Sequence, residues 1–136
     1  MKQFSKFATL LLVLLFVASL VTLAQKKGAP WNVPANYKSK KSTVKAGDAS
    51  INGVGKTLYN QHCKSCHGAK GLGDGPKAAK LATSCGDFSA ATFQAQSDGV
   101  IYYQSFVGRD DMPNFEKKIP DEADRWAVVM YIRTLK

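Results

Sequence analysis

The chain has few of the residues that most often bind metals or form disulfides. Its 136 residues include three cysteines, two histidines and three methionines. Residues 61–68 (QHCKSCHG) hold two of the cysteines and both histidines, and the absence of a second Cys/His pair argues against a four-ligand zinc site. No segment alternates apolar and polar residues with the period of a β-strand, which argues against the βαβ setting of a thioredoxin-like dithiol.

Acidic residues are also scarce: ten Asp and Glu stand against 19 Lys and Arg, and the formal net charge is +9. The sequence nevertheless lacks a basic helix interleaved with stacking aromatic residues, so we expect no nucleic-acid binding. The excess of lysine is concentrated in residues 25–49, which also contain two prolines and few large apolar side chains. This composition predicts a basic, flexible and disordered linker. It is either a solvated spacer or an electrostatic contact for anionic lipid or an acidic partner.

The first 24 residues differ from the rest of the chain. Residues 1–6 carry two lysines and no acid, and residues 7–24 carry no charge. A basic start followed by an apolar run that ends in small residues predicts a secretory signal peptide over 1–24. The run is also long enough for a marginal membrane span, so an uncleaved anchor is the alternative. Either way we expect an exported, periplasmic protein that is soluble or held at the membrane through its N-terminus.

Residues 50–136 are predicted to form one small all-α domain. Helices are expected over 50–63, 77–82, 98–107 and 121–135. Residues 68–76 contain four glycines and a proline and predict a loop. A domain of this size has a limited core and often needs a bound group to stabilise it.

Two interpretations of the Cys/His cluster remain. A Cys63–Cys66 disulfide suits an exported chain but leaves His67 and the glycine-rich loop without a role. Covalent haem attachment through Cys-x-x-Cys-His accounts for all of them. The two thiols would add across the vinyl groups of haem, and the following histidine would supply an axial nitrogen to the iron. We therefore predict one haem c per chain, held by Cys63, Cys66 and His67.

A stable haem electron carrier needs a second axial ligand, and the domain offers two methionines for it. Met130 falls in the middle of the last predicted helix, where packing in the core is its expected role. Met112 lies in an irregular segment before Pro113. Paired with histidine, a methionine ligand raises the reduction potential of the iron. We predict Met112 as the sixth ligand, the alternative being a buried loop methionine.

These segments together resemble class I c-type cytochromes. Residues 55–68 are similar to the family's N-terminal helix, with a glycine and an aromatic residue eight and four positions before the first haem cysteine. Residues 109–115 resemble the methionine-ligand loop, and residues 125–132 resemble the C-terminal helix. The resemblance implies a fold in which the N- and C-terminal helices cross around the covalently attached haem.

The resemblance also implies contacts for individual residues. Gly55 and Tyr59 would meet Val128 and Tyr131 where the two helices cross. Pro76 would use its carbonyl oxygen to accept a hydrogen bond from the ligand histidine and so hold its ring.

Cys85 has no counterpart in the family pattern. It is either a buried inert cysteine or the site of an intermolecular bridge.

The function implied is that of an electron carrier and not of an enzyme. We expect a monomer that passes single electrons between redox protein donors and acceptors, periplasmic or membrane-bound. A haem subunit fixed in a larger dehydrogenase or terminal oxidase complex is one alternative. A haem peroxidase or gas-binding protein is another, disfavoured because Met112 would close the sixth position of the iron.

Overall fold

The computed structural model describes residues 28–136, which contain six α-helices and one short 3₁₀ helix. The α-helices are α1 (Ala35–Lys38), α2 (Ala49–His62), α3 (Lys64–His67), α4 (Ala91–Gln94), α5 (Asp98–Phe106) and α6 (Glu122–Ile132). The 3₁₀ helix, Ala78–Lys80, lies between α3 and α4. This described part has no β-strand, and the predicted all-α class is confirmed. The signal peptide predicted over 1–24 lies outside the described residues.

The starts of the longer helices are set by side-chain caps. Asp48 accepts hydrogen bonds from the backbone N–H groups of Ser50 and Ile51 at the start of α2. At the start of α6, the Asp121 side chain accepts from the backbone N–H groups of Ala123 and Asp124. At the start of α5, the Ser97 side chain accepts from the N–H group of Val100. Such caps satisfy N–H groups that have no partner within the helix.

Between residues 28 and 136, none of the helices is long and apolar enough to cross a membrane.

The main helix packing is the crossing of α2 and α6. A Cβ atom built on Gly55 would lie 2.6 Å from the carbonyl carbon of Ala127 and 2.9 Å from Cβ of Tyr131, and would overlap the Ala127 carbonyl oxygen. The rings of Tyr59 and Tyr131 pack with centroids 5.2 Å apart. The expected crossing is therefore present, with Ala127 as the closest contact of Gly55 and with Val128 fully buried beside it.

The core lies between this crossing and α5. Its largest fully buried side chains come from all three helices: Tyr59, Ile101, Tyr102, Phe106, Trp126, Val128, Val129 and Ile132. The ring of Tyr102 packs 4.5 Å from that of Trp126, centroid to centroid. Met130 is 8 % exposed and belongs to the same cluster, as expected of a core methionine.

The segment before α2 differs from the flexible linker expected over residues 25–49. From Gly28 onward it packs on α5: Val33 is 5 % exposed, and the Tyr37 ring lies 4.8 Å from the Tyr103 ring. Lys40 pairs with Glu122 at 2.8 Å. The average composition of the segment is polar, but its two aromatic side chains, Trp31 and Tyr37, find partners on α5. The described residues before 50 therefore pack against the helices that follow them.

Candidate functional site

The two cysteines of the cluster project from one helical turn. Cys63 lies between the end of α2 and the start of α3, and its carbonyl oxygen accepts from the N–H groups of Cys66 at 3.1 Å and His67 at 2.9 Å. Residues three and four positions apart lie on one face of a helix, so Cys63, Cys66 and His67 are neighbours. All three cysteines of the chain lie in the described region, where no disulfide joins any two of them, so both Cys63 and Cys66 are available for thioether bonds.

The glycine-rich loop runs back along α3 and holds it. Gly73 donates from its N–H to the carbonyl of His67 at 2.9 Å, and Gly75 donates to that of Cys66 at 3.1 Å. A Cβ on Gly75 would lie 2.6 Å from the carbonyl oxygen of Ser65, so only glycine allows the loop to approach this closely. On the other side, the buried Tyr59 hydroxyl donates to the Gly68 carbonyl at 2.8 Å.

His67 is buried against aromatic rings. It is 8 % exposed and stacks on Phe88, with ring centroids 4.6 Å apart and an interplanar angle of 24°. Phe88 stacks in turn on Phe93 at 4.6 Å. Burial lowers the pKa of His67 to about 4, although the nearby backbone of Cys85 partly opposes the shift. The imidazole is therefore neutral near pH 7, which is the form that binds metal.

The Nδ1 nitrogen of His67 is buried and makes no hydrogen bond to any residue from 28 to 136. Pro76 is exposed, directly after the loop glycine that bonds Cys66. Its role as acceptor for His67 stays a prediction.

Met112 lies at the end of a tight turn. The N–H of Arg109 donates to the carbonyl of Met112, and the N–H of Met112 donates to the carbonyl of Arg109, both at 2.8 Å. Asp110, between them, has a φ of 48°, and Gly108 before them has a φ of 70°. Asp111 ties the turn to the loop after the 3₁₀ helix, where its carboxylate accepts from the N–H of Ala82 at 2.7 Å. The backbone position of Met112 is thus fixed from both sides.

These residues surround one cavity of about 680 Å³. Cys63, Cys66, His67 and Met112 all line it, whereas Pro76 and Met130 do not. Its volume falls within the range of about 300–1,000 Å³ that is usual for small-molecule and cofactor sites. Four of the five predicted site residues are therefore brought together around a single space.

The cavity also has walls that the sequence reasoning missed. Phe88 and Phe93 line it beside His67, and Trp31 lines it from the segment before α1. The sequence feature that could have identified these wall residues is the presence of large aromatic side chains in segments without helical periodicity. Cys85 lines the cavity as well, and burial raises the pKa of its thiol.

The donor set fits a haem. Two free thiols three residues apart suit two thioether bonds, and a buried neutral imidazole directly after them suits an axial nitrogen. Met112 offers a soft thioether sulfur in the same space. Aromatic walls suit the faces of a large flat ring. The fold and the site together define a small all-α haem protein of the c type.

Comparison with known proteins gives the family. The family model for Cytochrome c matches residues 54–136, which are 83 of the 136 residues. The chain belongs to the cytochrome c family, and its haem c is covalently bound. Cys63, Cys66 and His67 are consistent with the attachment site, and the family supports a haem-based electron carrier in general. A comparison with curated proteins finds no match.

Proposed function

We propose that this protein is a monohaem electron carrier whose iron is held between His67 and Met112. The single observation that carries the ligand assignment is that both side chains line one cavity, while Met130 is packed in the core. Bound haem supplies a one-electron iron couple whose potential a methionine ligand raises. The carrier is exported and monomeric, and it exchanges single electrons with periplasmic or membrane-bound redox proteins.

The chain's own groups would keep the site nearly unchanged between the two oxidation states. Thioethers from Cys63 and Cys66 would fix the group to α3 and to the residue that precedes it, and the glycine-rich loop already holds this helix. Stacking on Phe88 restrains the ring plane of His67. The turn from Arg109 to Met112 presents the thioether from a backbone with two hydrogen bonds. A site held this firmly reorganises little on electron transfer, which favours a carrier.

Met112→Ala tests the proposal, with Met130→Leu as the matched control. In the ferric protein, Met112→Ala should abolish the weak near-infrared sulfur-to-iron band and lower the reduction potential. In the ferrous protein it should open the iron to carbon monoxide. Met130→Leu nearly conserves volume in the core and should change none of these.

Two outcomes would contradict the proposal. If the band were lost in Met130→Leu and kept in Met112→Ala, the ligand assignment would be wrong. If the ferrous wild type already bound carbon monoxide rapidly, the sixth position would be open, and a catalytic or gas-binding function would replace electron transfer.

A further inference from the structure

The segment before α1 reaches the cavity from outside the family match. Residues 28–34, called here the N-terminal strap, precede the matched region 54–136. Gly28, Ala29, Pro30 and Trp31 line the cavity together with the turn that carries Met112. The strap is therefore a wall of the site that the family assignment does not account for.

Arg109 joins the strap to the body of the protein. Its Nη1 donates to the carbonyl of Pro30 at 2.8 Å, and its Nη2 donates to the carbonyl of Ala29. Its guanidinium carbon lies 4.0 Å from the ring centroid of Trp31, a distance typical of a cation–π contact. Trp31 packs edge-on against Tyr103 with centroids 6.3 Å apart, so the strap also rests on α5. The two hydrogen bonds from the Arg109 guanidinium to the strap carbonyls are charge-assisted and are therefore stronger than neutral ones.

The same residue determines where Met112 sits. The main chain of Arg109 makes both hydrogen bonds of the bridge to Met112, and only two residues separate them. A movement of Arg109 therefore moves the backbone of Met112. The side chain of Arg109 is 28 % exposed, so most of it is enclosed by the strap and the turn. Among the described residues it forms one ion pair, with Asp110, which is 3.8 Å away and largely exposed.

We infer that Arg109 is a positioning residue for Met112 and that the N-terminal strap holds Arg109 in place. The strap thereby keeps the methionine on the iron against competing external ligands. This inference rests on the proposed function, because it takes Met112 as the sixth ligand. It assigns the segment before α1 a role in ligand retention and not in spacing alone.

The test uses the ferric holoprotein with its full chain, titrated with free imidazole, which competes with Met112 for the iron. Arg109→Gln removes the charge-assisted hydrogen bonds and the cation–π contact. It should raise the affinity for imidazole by about ten- to a hundredfold, as expected for the loss of bonds to a charged donor. It should also weaken the near-infrared sulfur-to-iron band before any imidazole is added.

Variants of the strap itself separate positioning from a general loss of charge. Trp31→Leu removes the ring under the guanidinium and should raise the imidazole affinity by roughly threefold or more, given the usual strength of a cation–π contact. The double variant should bind little more tightly than Arg109→Gln alone, because the two residues act through one contact. Lys117→Gln removes an equal charge at an exposed position and should leave the affinity unchanged.

The outcomes are distinguishable. If Arg109→Gln fails to fold, Arg109→Lys keeps the charge but loses the planar fork, and with Trp31→Leu it gives the same test. Wild-type imidazole affinity in both the Arg109 and the Trp31 variants, with a much higher affinity in Met112→Ala, would overturn the inference and leave the proposed ligand intact. Wild-type affinity in Met112→Ala would instead remove the proposed ligand, and the inference with it.

Discussion

Replacing Gly55 with alanine puts a methyl group where α2 crosses α6. The added Cβ would overlap the backbone carbonyl of Ala127, which cannot move aside by changing rotamer. The helices would have to separate, and the buried contact between Tyr59 and Tyr131 would loosen with them. Overpacking of this kind costs about 1–3 kcal/mol, occasionally more, and a backbone clash belongs at the upper end. Alanine returns about 1 kcal/mol through its better helix propensity.

The net expectation is that the free energy of unfolding of Gly55→Ala falls by about 2 kcal/mol or more. For a domain of about 100 residues this lowers Tm by roughly 8–16 °C. The measurement is urea unfolding of the ferric holoprotein, followed by circular dichroism and extrapolated to water.

Gly53→Ala is the matched control in the same helix. Its added Cβ meets nothing within 4 Å, so only the propensity gain remains. It should stabilise the protein by about 0.5–1 kcal/mol. The two variants make the same chemical change two residues apart and should differ in sign. If Gly55→Ala were as stable as Gly53→Ala, the close approach of the helices at Gly55 would not be real.

Three further predictions concern the haem attachment, the hydrogen bond of the Tyr59 hydroxyl, and two aspartates that accept hydrogen bonds from nearby serines. Wild-type haem should stay with the polypeptide in acidified organic solvent, and Cys63→Ala or Cys66→Ala should leave at most one thioether; free haem from the wild type would refute covalent attachment. Tyr59→Phe should lower the free energy of unfolding by about 1–3 kcal/mol, because a buried carbonyl loses its donor, and an unchanged urea midpoint would contradict this. Hydrogen bonds from Ser50 lower the pKa of Asp48, and hydrogen bonds from Ser89 lower the pKa of Asp87. Each carboxylate therefore stabilises the folded state fully above the unfolded carboxyl pKa of about 3.9, and this stabilisation is lost as the pH falls through the folded pKa. Urea midpoints should therefore fall below pH 4, less steeply in Asp48→Asn.

The helices could be predicted because their signals are local. Caps and periodic apolar positions place the start of α2, α5 and α6 within one residue of the structure. The Cys/His motif likewise lies within one turn and the loop beside it. Pro113 marks a non-helical segment and so favours Met112 over Met130 as the ligand, and of these two methionines the structure places Met112 at the cavity.

The contacts of the N-terminal strap could not be predicted in this way. Arg109 lies 79 residues from Pro30 and 80 from Ala29, and no periodic pattern links a guanidinium to two distant carbonyls. The stack of Phe88 on His67 also depends on tertiary packing, because Phe88 lies in a loop. The composition of residues 25–49 is polar on average, so it gave no indication that the few aromatic side chains anchor the segment.

In the chain, 59 residues (63–121) separate α2 from α6. As the polypeptide is synthesised, the crossing of α2 with α6, the main helix packing of the described residues, cannot form until all of these residues and then α6 have followed. Closing so long a loop is an entropic cost that delays the crossing. In the folded chain before haem is attached, burial raises the pKa of the Cys63 thiol to about 12, so almost none of it is the reactive thiolate. The Cys63 thiol should therefore react most readily before the two helices meet, and their long separation in the chain would leave time for attachment before the fold closes over this thiol.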